Sequence, residues 1–162
     1  MEHELAILLH NIRSAHNVGS IFRTADGAGI HTIFLSGYTA LPVDRFGVAQ
    51  KDIAKTALGA EHSVAWEHVA SPAALMARLK EDGWHIVGIE QDPRAVNYRT
   101  FRPSGKTLIL LGNEVLGLSP QLRDQCDTLL EIPMRGAKES LNVSVAAGIA
   151  LFAIAEQNNV RT

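Results

Sequence analysis

The feature that most limits what this chain can fold into is an alternation. Short apolar runs, too short for helices, are separated by stretches with helical periodicity. Leu5 to Leu9, Thr32 to Leu35, Ile86 to Ile89 and Leu108 to Leu111 have the length and aliphatic content of buried strands, and Ser63 to Trp66 and Thr128 to Ile132 read as two more. Between the first two, Val18, Ile21, Phe22 and Ala25 fall at helical spacing, so a helix is expected from Asn17 to Ala28, with Asn17 as its N-cap and Gly29 as its stop. Val48 to Ala57 is expected to be helical, Ser71-Pro72 to open a helix reaching Asp82, and Ser119-Pro120 to open a short one. A last helix is expected from Leu141 to Gln157. Strands alternating with helices predict an α/β fold, a mostly parallel sheet flanked by helices. Ligands of such sheets sit beyond the carboxyl ends of the strands. The loops after Leu9, Leu111 and Ile132 are therefore the places to look for chemistry.

Composition removes several alternatives. At 162 residues, 46% hydrophobic and 20% charged, the chain has the size of one domain and enough apolar mass to bury a core, which excludes a disordered polar chain. A net charge of −2 excludes a monomer that grips nucleic acid by bulk charge, so any nucleic-acid reading needs a local basic face. The single cysteine, Cys126, permits no intrachain disulfide and fits a reducing compartment. The seven histidines are scattered, without zinc-site spacing, and no metal is expected. The start Met1-Glu2-His3-Glu4 lacks the positive region of a signal peptide, and the longest apolar run, Val145 to Ala155, is too short to span a bilayer. A cytoplasmic protein with no membrane partner is expected.

Three segments carry polar residues in patterns that chemistry uses. In the first, from Asn11 to Ala25, Asn17, Ser20 and Arg23 are spaced by three and share one helix ridge, with Arg13 and His16 just ahead of it. A helix N-terminus favours anions, so a phosphate held by Arg13 or Arg23 is one reading, and a capped amphipathic helix with a solvated face is the other. In the second, the strand Leu108 to Leu111 runs into Gly112-Asn113-Glu114 and then Gly117-Leu118-Ser119-Pro120. Gly112 is expected to let a ligand approach the backbone, and Glu114 to meet a hydroxyl or a cation. Neither phosphate-binding glycine fingerprint is present, and an ordinary strand-to-helix turn is the plain alternative. In the third, Ile132-Pro133-Met134 leads through Arg135, Gly136 and Lys138 to Ser140-Leu141-Asn142-Val143-Ser144. Ser140 and Asn142 are capping types near a helix start, and that alone can explain them. Beyond Ser144 the helix is apolar nearly all round, the mark of a helix covered on every side, by the core and by a second subunit.

In order and internal spacing these segments resemble the three signature motifs of the SpoU (TrmH) family of SPOUT RNA methyltransferases: Asn17 with Arg23, Gly112-Asn113-Glu114 with Gly117, and Ile132-Pro133-Met134 with Ser140-Leu141-Asn142-Val143-Ser144. The resemblance covers essentially the whole chain, with weak signal from Tyr38 to Pro103. It implies an α/β knot fold with a C-terminal trefoil knot, residues 1–162 forming a single SPOUT methyltransferase domain without a separate RNA-binding extension. It implies S-adenosyl-L-methionine as cofactor and S-adenosyl-L-homocysteine as product, held by Leu111, Gly112, Asn113, Gly117, Ile132, Met134, Ser140 and Leu141. It implies methyl transfer to a ribose 2′-hydroxyl of tRNA or rRNA. Arg23 would be the catalytic residue, orienting ribose and phosphate, with Asn17, Glu114, Ser140 and Asn142 around it. It further implies a homodimer in which Arg23 lies near the partner's cofactor.

RNA contacts are expected from Arg13, His16, Arg23, Arg135 and Lys138. Arg99 and Arg102 join them, in a basic segment from Arg94 to Lys106 where Tyr98 and Phe101 suit base stacking. DNA is not an expected partner. Two other classes remain open on the residues: a catalytically silent RNA-binding module that kept the fold, and a nucleotide hydrolase or dinucleotide enzyme on an ordinary α/β sheet.

Overall fold

The computed structural model describes residues 3–103 and 105–159, with side chains as far as Gln157. Seven strands form one sheet: β1 (Leu5–His10), β2 (Thr32–Ser36), β3 (Ala65–Val69), β4 (His85–Ile89), β5 (Val96–Asn97), β6 (Thr107–Leu111) and β7 (Thr128–Glu131). Their order is β3-β2-β1-β6-β4-β7-β5, and every pairing is parallel. The helices are α1 (Ala15–Ala28), α2 (Lys51–Ala57), α3 (Ala60–Ser63), α4 (Pro72–Glu81), α5 (Pro120–Gln125) and α6 (Val143–Asn159). Among the described residues no helix is long and apolar enough to cross a membrane.

Side chains on a strand alternate between faces, and both faces here are dry. In β1, Leu5, Ile7 and Leu9 point into one apolar cluster, with Val18, Ile21 and Phe22 of α1, Ile53 of α2 and Ala147, Leu151 and Ile154 of α6. Ala6 and Leu8 point into the other, with Leu75, Met76 and Leu79 of α4 and Leu122 of α5. Strand β6 divides the same way, Ile109 and Leu111 against Leu108 and Leu110. That double burial is why these strands are continuously apolar runs. Successive connections from β1 and β6 leave to opposite faces, so a crevice opens where these neighbours end, the usual place for a ligand in such sheets.

The element boundaries differ from the sequence expectation in physically instructive ways. Helix α1 starts two residues earlier than expected, because Ser14 is the N-cap: its Oγ accepts the Asn17 N–H at 3.2 Å. Asn17 lies inside the first turn, with its amide free for other partners. Gly29 does end the helix, in the left-handed region at φ 75°. Residues 48–50 are not helical. The Asp44 carboxylate takes the N–H groups of Phe46 (2.8 Å) and Val48 (2.9 Å) in a tight turn, and Gln50 then caps α2. Ser63 belongs to α3 rather than to β3. Helix α6 begins at Val143, since Asn142 caps it through Oδ1 to the Ser144 N–H at 2.9 Å.

Candidate active site

The turn after β6 is held by one side chain. Asn113 Oδ1 accepts the N–H groups of Val115 and Leu116, both at 2.9 Å, and the Asn113 carbonyl accepts the Gly117 N–H at 2.9 Å. Its Nδ2 donates to the Asn11 carbonyl (3.0 Å) and to the Tyr38 hydroxyl (2.7 Å), tying the ends of β1, β2 and β6 together. Gly112, expected to let a ligand approach the backbone, also has an internal reason: a Cβ there would lie 2.6 Å from the Gly117 carbonyl carbon and 2.7 Å from the Leu118 nitrogen. Gly117 is doubly constrained, by φ 66° and by the Glu90 carboxylate, 2.4 Å from where its Cβ would stand. Glu90 Oε2 also accepts the Leu118 N–H at 2.6 Å.

The backbone N–H groups at the N-terminus of α1 hold an anion of the chain's own, the Glu114 carboxylate. Arg13 N–H donates to Glu114 Oε2 (3.0 Å), Ser14 N–H to Oε1 (3.1 Å) and Asn17 Nδ2 to Oε1 (3.2 Å). Burial pushes the Glu114 carboxyl up, but the N–H groups of Arg13, Ser14 and Glu114 itself, together with the Asn17 amide, outweigh it and hold it below its ordinary value. Asn17 Oδ1 in turn accepts from Asn142 Nδ2 at 3.4 Å. The three polar motif residues Glu114, Asn17 and Asn142 thus form one chain linking the β6 turn, α1 and the cap of α6.

Against this frame, at the carboxyl ends of β4, β6 and β7, lies a cleft of about 690 Å³ including its open mouth. It brings together Leu111, Gly112, Asn113, Gly117, Ile132, Met134, Ser140 and Leu141, with Glu114 on its wall. Val143 of the third motif also lines it, as do Ile89, Glu90, Gln91, Val115 and Ala146, which were not singled out from the sequence. Glu90 and Gln91 follow the buried run Ile86 to Ile89 directly, so the strand-end rule applied to β4 would have found them. Gln91 Nε2 donates to the Ile132 carbonyl at 3.0 Å and so joins the β4 and β7 loops.

The remaining predicted residues are dispersed. Arg23 is exposed and lines a different groove, with Ser20, Thr24, Lys55, Leu58 and Phe152. Arg13 is exposed on the outer side of the Glu114 clamp, in a second depression with Tyr38, Val115 and Leu116. His16 stands 3.7 Å from Asp52 of α2. Arg135 and Lys138 are exposed on the loop before α6.

The basic segment is not the stacking platform expected of it. Tyr98 and Phe101 pack against the core, and Phe101 lies 5.6 Å from the His85 ring, because these aromatics pin the segment to the sheet edge. Arg94 is consumed by Asp92 (3.0 Å) and Asp124 (2.8 Å). The guanidinium of Arg102 donates to the carbonyls of Arg99 and Phe101, and that of Arg99 lies over the Tyr98 ring.

An all-parallel α/β sheet with the loops after β4, β6 and β7 converging on a carboxyl-edge cleft defines a class of small-ligand α/β proteins, which likeness to known proteins narrows. The SpoU rRNA Methylase family profile matches residues 4–152, and the chain belongs to that family. It is 33% identical over 159 residues to the Escherichia coli 23S rRNA (guanosine-2′-O-)-methyltransferase RlmB, covering 98% of this chain and 63% of the relative. The Ralstonia nicotianae RlmB is 34% identical over 157 residues, 96% of this chain and 60% of the relative. The chain therefore spans about three fifths of the length of these curated relatives. Among solved structures, the A. aeolicus TrmH/SpoU tRNA modifying enzyme superposes with a TM-score of 0.86 at 28% identity, over 99% of this chain and 78% of that one. The Streptomyces viridochromogenes SpoU methyltransferase AviRb, in complex with the cofactor AdoMet, gives 0.86 at 29% identity, over 99% and 62%.

Proposed function

We propose that this chain is an S-adenosyl-L-methionine-dependent RNA methyltransferase that methylates a ribose 2′-hydroxyl in tRNA or rRNA. The observation that carries the reading is that the second and third motif loops line one cleft, which Glu114, Asn17 and Asn142 tie to the first motif on α1. Leu111, Ile132, Met134 and Leu141 offer apolar walls, and the exposed backbone of the β6 and β7 loops offers polar groups, a combination that fits a nucleoside bearing an amino-acid tail. We read residues 1–162 as one SPOUT methyltransferase domain. The β6 and β7 loops both line the cleft, which suits the trefoil knot of that fold.

The cofactor supplies an activated methyl group on a sulfonium, and the protein supplies orientation and electrostatics. Glu114 is better placed as a positioning group than as a base, since three donors already hold its charge. Arg23 is the catalytic residue of the proposal. A guanidinium stays protonated and presents a planar fork, so its role is to hold ribose and phosphate for in-line attack. Its own chain's cleft lacks it, so we propose a homodimer in which Arg23 reaches the partner's cleft. Support comes from the groove around Arg23, where Phe152 of α6 is 44% exposed and Leu58 is 66% exposed. RNA as partner, and a cytoplasmic setting, follow from this activity. Cys126, free and with its thiol pushed up to about 12 by burial, is inert there.

The test is transfer of labelled methyl from the cofactor to separate tRNA and rRNA pools, followed by alkaline digestion. Alkali cleaves RNA through the free 2′-hydroxyl, so ribose methylation leaves the label in a resistant dinucleotide. Label in single nucleotides carrying a methylated base would refute the ribose assignment, and no transfer to either pool would refute the activity.

A further inference from the structure

The turn that forms one wall of the cofactor cleft has a second side. Asn113, Glu114 and Val115 line the cleft and also line the neighbouring depression, whose other members are Arg13, Ser14, Tyr38 and Leu116. A wall one turn thick therefore separates the two spaces. The depression is strongly apolar for a surface feature beside buried polar groups: Val115 is 85% exposed, Leu116 82% and Tyr38 59%. The turn cannot retract them, because Asn113 Oδ1 fixes the backbone of both Val115 and Leu116. Tyr38 is equally fixed. It follows Gly37, which has φ 63°, its N–H donates to Asn11 Oδ1 at 3.1 Å, and its hydroxyl accepts from Asn113 Nδ2 at 2.7 Å. An aromatic ring held at both ends with this much exposure is a preformed platform. Arg13 adds a positive charge at the rim. Its side chain is exposed and forms no ion pair among the described residues.

We infer that Tyr38, with Val115 and Leu116, is the stacking shelf for a base of the RNA at the methylated position, and that Arg13 holds the adjoining phosphate. The inference rests on the methyltransferase reading and adds to it how the acceptor is presented. The chemistry favours RNA over a protein partner. A flat ring beside two short aliphatic side chains suits the face of a base, and the guanidinium suits a phosphate. A ribose whose base lies on the shelf has its hydroxyl directed across the Asn113–Val115 wall, towards the cleft. Single-stranded targets with splayed bases are the class of RNA that such a shelf accepts.

Three substitutions separate stacking from support of the turn. Tyr38→Phe keeps the ring and loses the bond to Asn113, whose Nδ2 still has the Asn11 carbonyl at 3.0 Å. Tyr38→Leu keeps apolar bulk without a ring, and Tyr38→Ala loses both. Loss of a stacked base costs about 1–3 kcal/mol by alanine substitution, so Tyr38→Ala should lower kcat/KM for RNA by about tenfold or more. Tyr38→Phe should stay within about twofold of the parent, Tyr38→Leu should fall between, and the affinity for S-adenosyl-L-homocysteine, read by calorimetry, should stay nearly constant across all three. Arg13→Gln should weaken RNA binding at low salt and reduce its salt dependence by about one phosphate contact. Crosslinking a pool of tRNA and rRNA transcribed with 4-thiouridine should label the peptides containing Tyr38 or Val115-Leu116. If Tyr38→Phe is as damaged as Tyr38→Ala, or cofactor affinity falls in step with RNA turnover, the ring supports the turn and the shelf is refuted. Crosslinks confined to other peptides refute it as well. A parent chain that transfers no methyl group sinks the methyltransferase reading instead, and the crosslinked peptides then decide the shelf alone.

Discussion

The Glu114 clamp and the Arg23 groove lie along the same helix, α1, and are built in opposite ways. At the start of α1 almost every polar group has a partner within the chain: Glu114 with Arg13, Ser14 and Asn17, Asn17 with Asn142, and Asn113 with four donors and acceptors. Two turns further along, Arg23 stands exposed above a groove rimmed by Leu58 and Phe152, with apolar surface open. The first region is finished by one chain. The second leaves apolar surface uncovered, and α6 shows the same division: Ala147, Leu151 and Ile154 face the core while Val145 is 50% exposed. A helix apolar all round need not be buried all round in one subunit. Its outer side is the surface the proposed second subunit would cover.

The sharpest way to break this comparison is complementation. Arg23→Ala should lose about 100-fold or more in turnover, as removal of a transition-state contact does, with cofactor affinity preserved. Gly112→Val should fail for the other reason, since the new side chain has no room against Gly117 and the cleft wall collapses. Mixed dimers of the two variants should regain activity, because one intact cleft then meets one intact Arg23. No recovery on mixing would show that the arginine serves its own chain.

Next in size is the clamp. Glu114→Ala should destabilise the fold by about 2–3 kcal/mol, the scale of hydrogen bonds to a charged group, as measured by denaturant unfolding. Because the carboxyl is held below its ordinary value of 4.5, its contribution is present above that pH and is lost as pH falls through 4.5 towards the lower folded value. Stability of the parent relative to Glu114→Gln should therefore shrink on acidification over that window. A difference that grows would mean the carboxylate is strained rather than stabilised.

Phe152→Asp tests the uncovered side. A charge in an apolar interface should shift the subunits from dimer to monomer at micromolar concentration by light scattering, while S-adenosyl-L-homocysteine still binds the cleft with its affinity intact. Unchanged mass would put the interface elsewhere. The smallest effect is expected from Ser14→Ala, which removes the N-cap and should cost about 1 kcal/mol, or about 2–4 °C in melting temperature. A cost near zero would mean that the Glu114 carboxylate alone satisfies the first turn.

Local patterns in the sequence were legible wherever their causes are local. The buried strands follow from apolar runs, whereas the exposed β5, which has none, and the true span of β3 do not; Gly29 and Ser71-Pro72 mark helix ends, and most cleft residues sit where the strand-end rule directs. What was not legible depends on partners far along the chain. Ser14 and Asn17 are both capping types, and only Glu114, 97 residues beyond Asn17, decides that Asn17 is needed elsewhere. Arg94 reads as a free basic residue until Asp124 is brought beside it, 30 residues on. Tyr98 and Phe101 look available for stacking until the edge of the sheet absorbs them. The strand order is invisible to periodicity altogether, since any buried parallel strand looks like any other.

That strand order also sets the tempo of folding. β6 lies at the centre of the sheet between β1 and β4, and pairs Leu5 with Thr107 and Leu9 with Leu111. Contacts of such sequence separation form late, because the chain entropy of closing so long a loop must be overcome before any contact rewards it. Until the segment from Thr107 arrives, β1 has β2 on one side and an unpaired edge on the other, apolar from Leu5 to Leu9. A nascent chain in that condition is a template for pairing with its neighbours. The hazard is greatest during synthesis, when residues 5–10 have emerged and residues 107–111 have not, so yield on rapid overexpression should respond to slower translation or to chaperones that cover exposed strands.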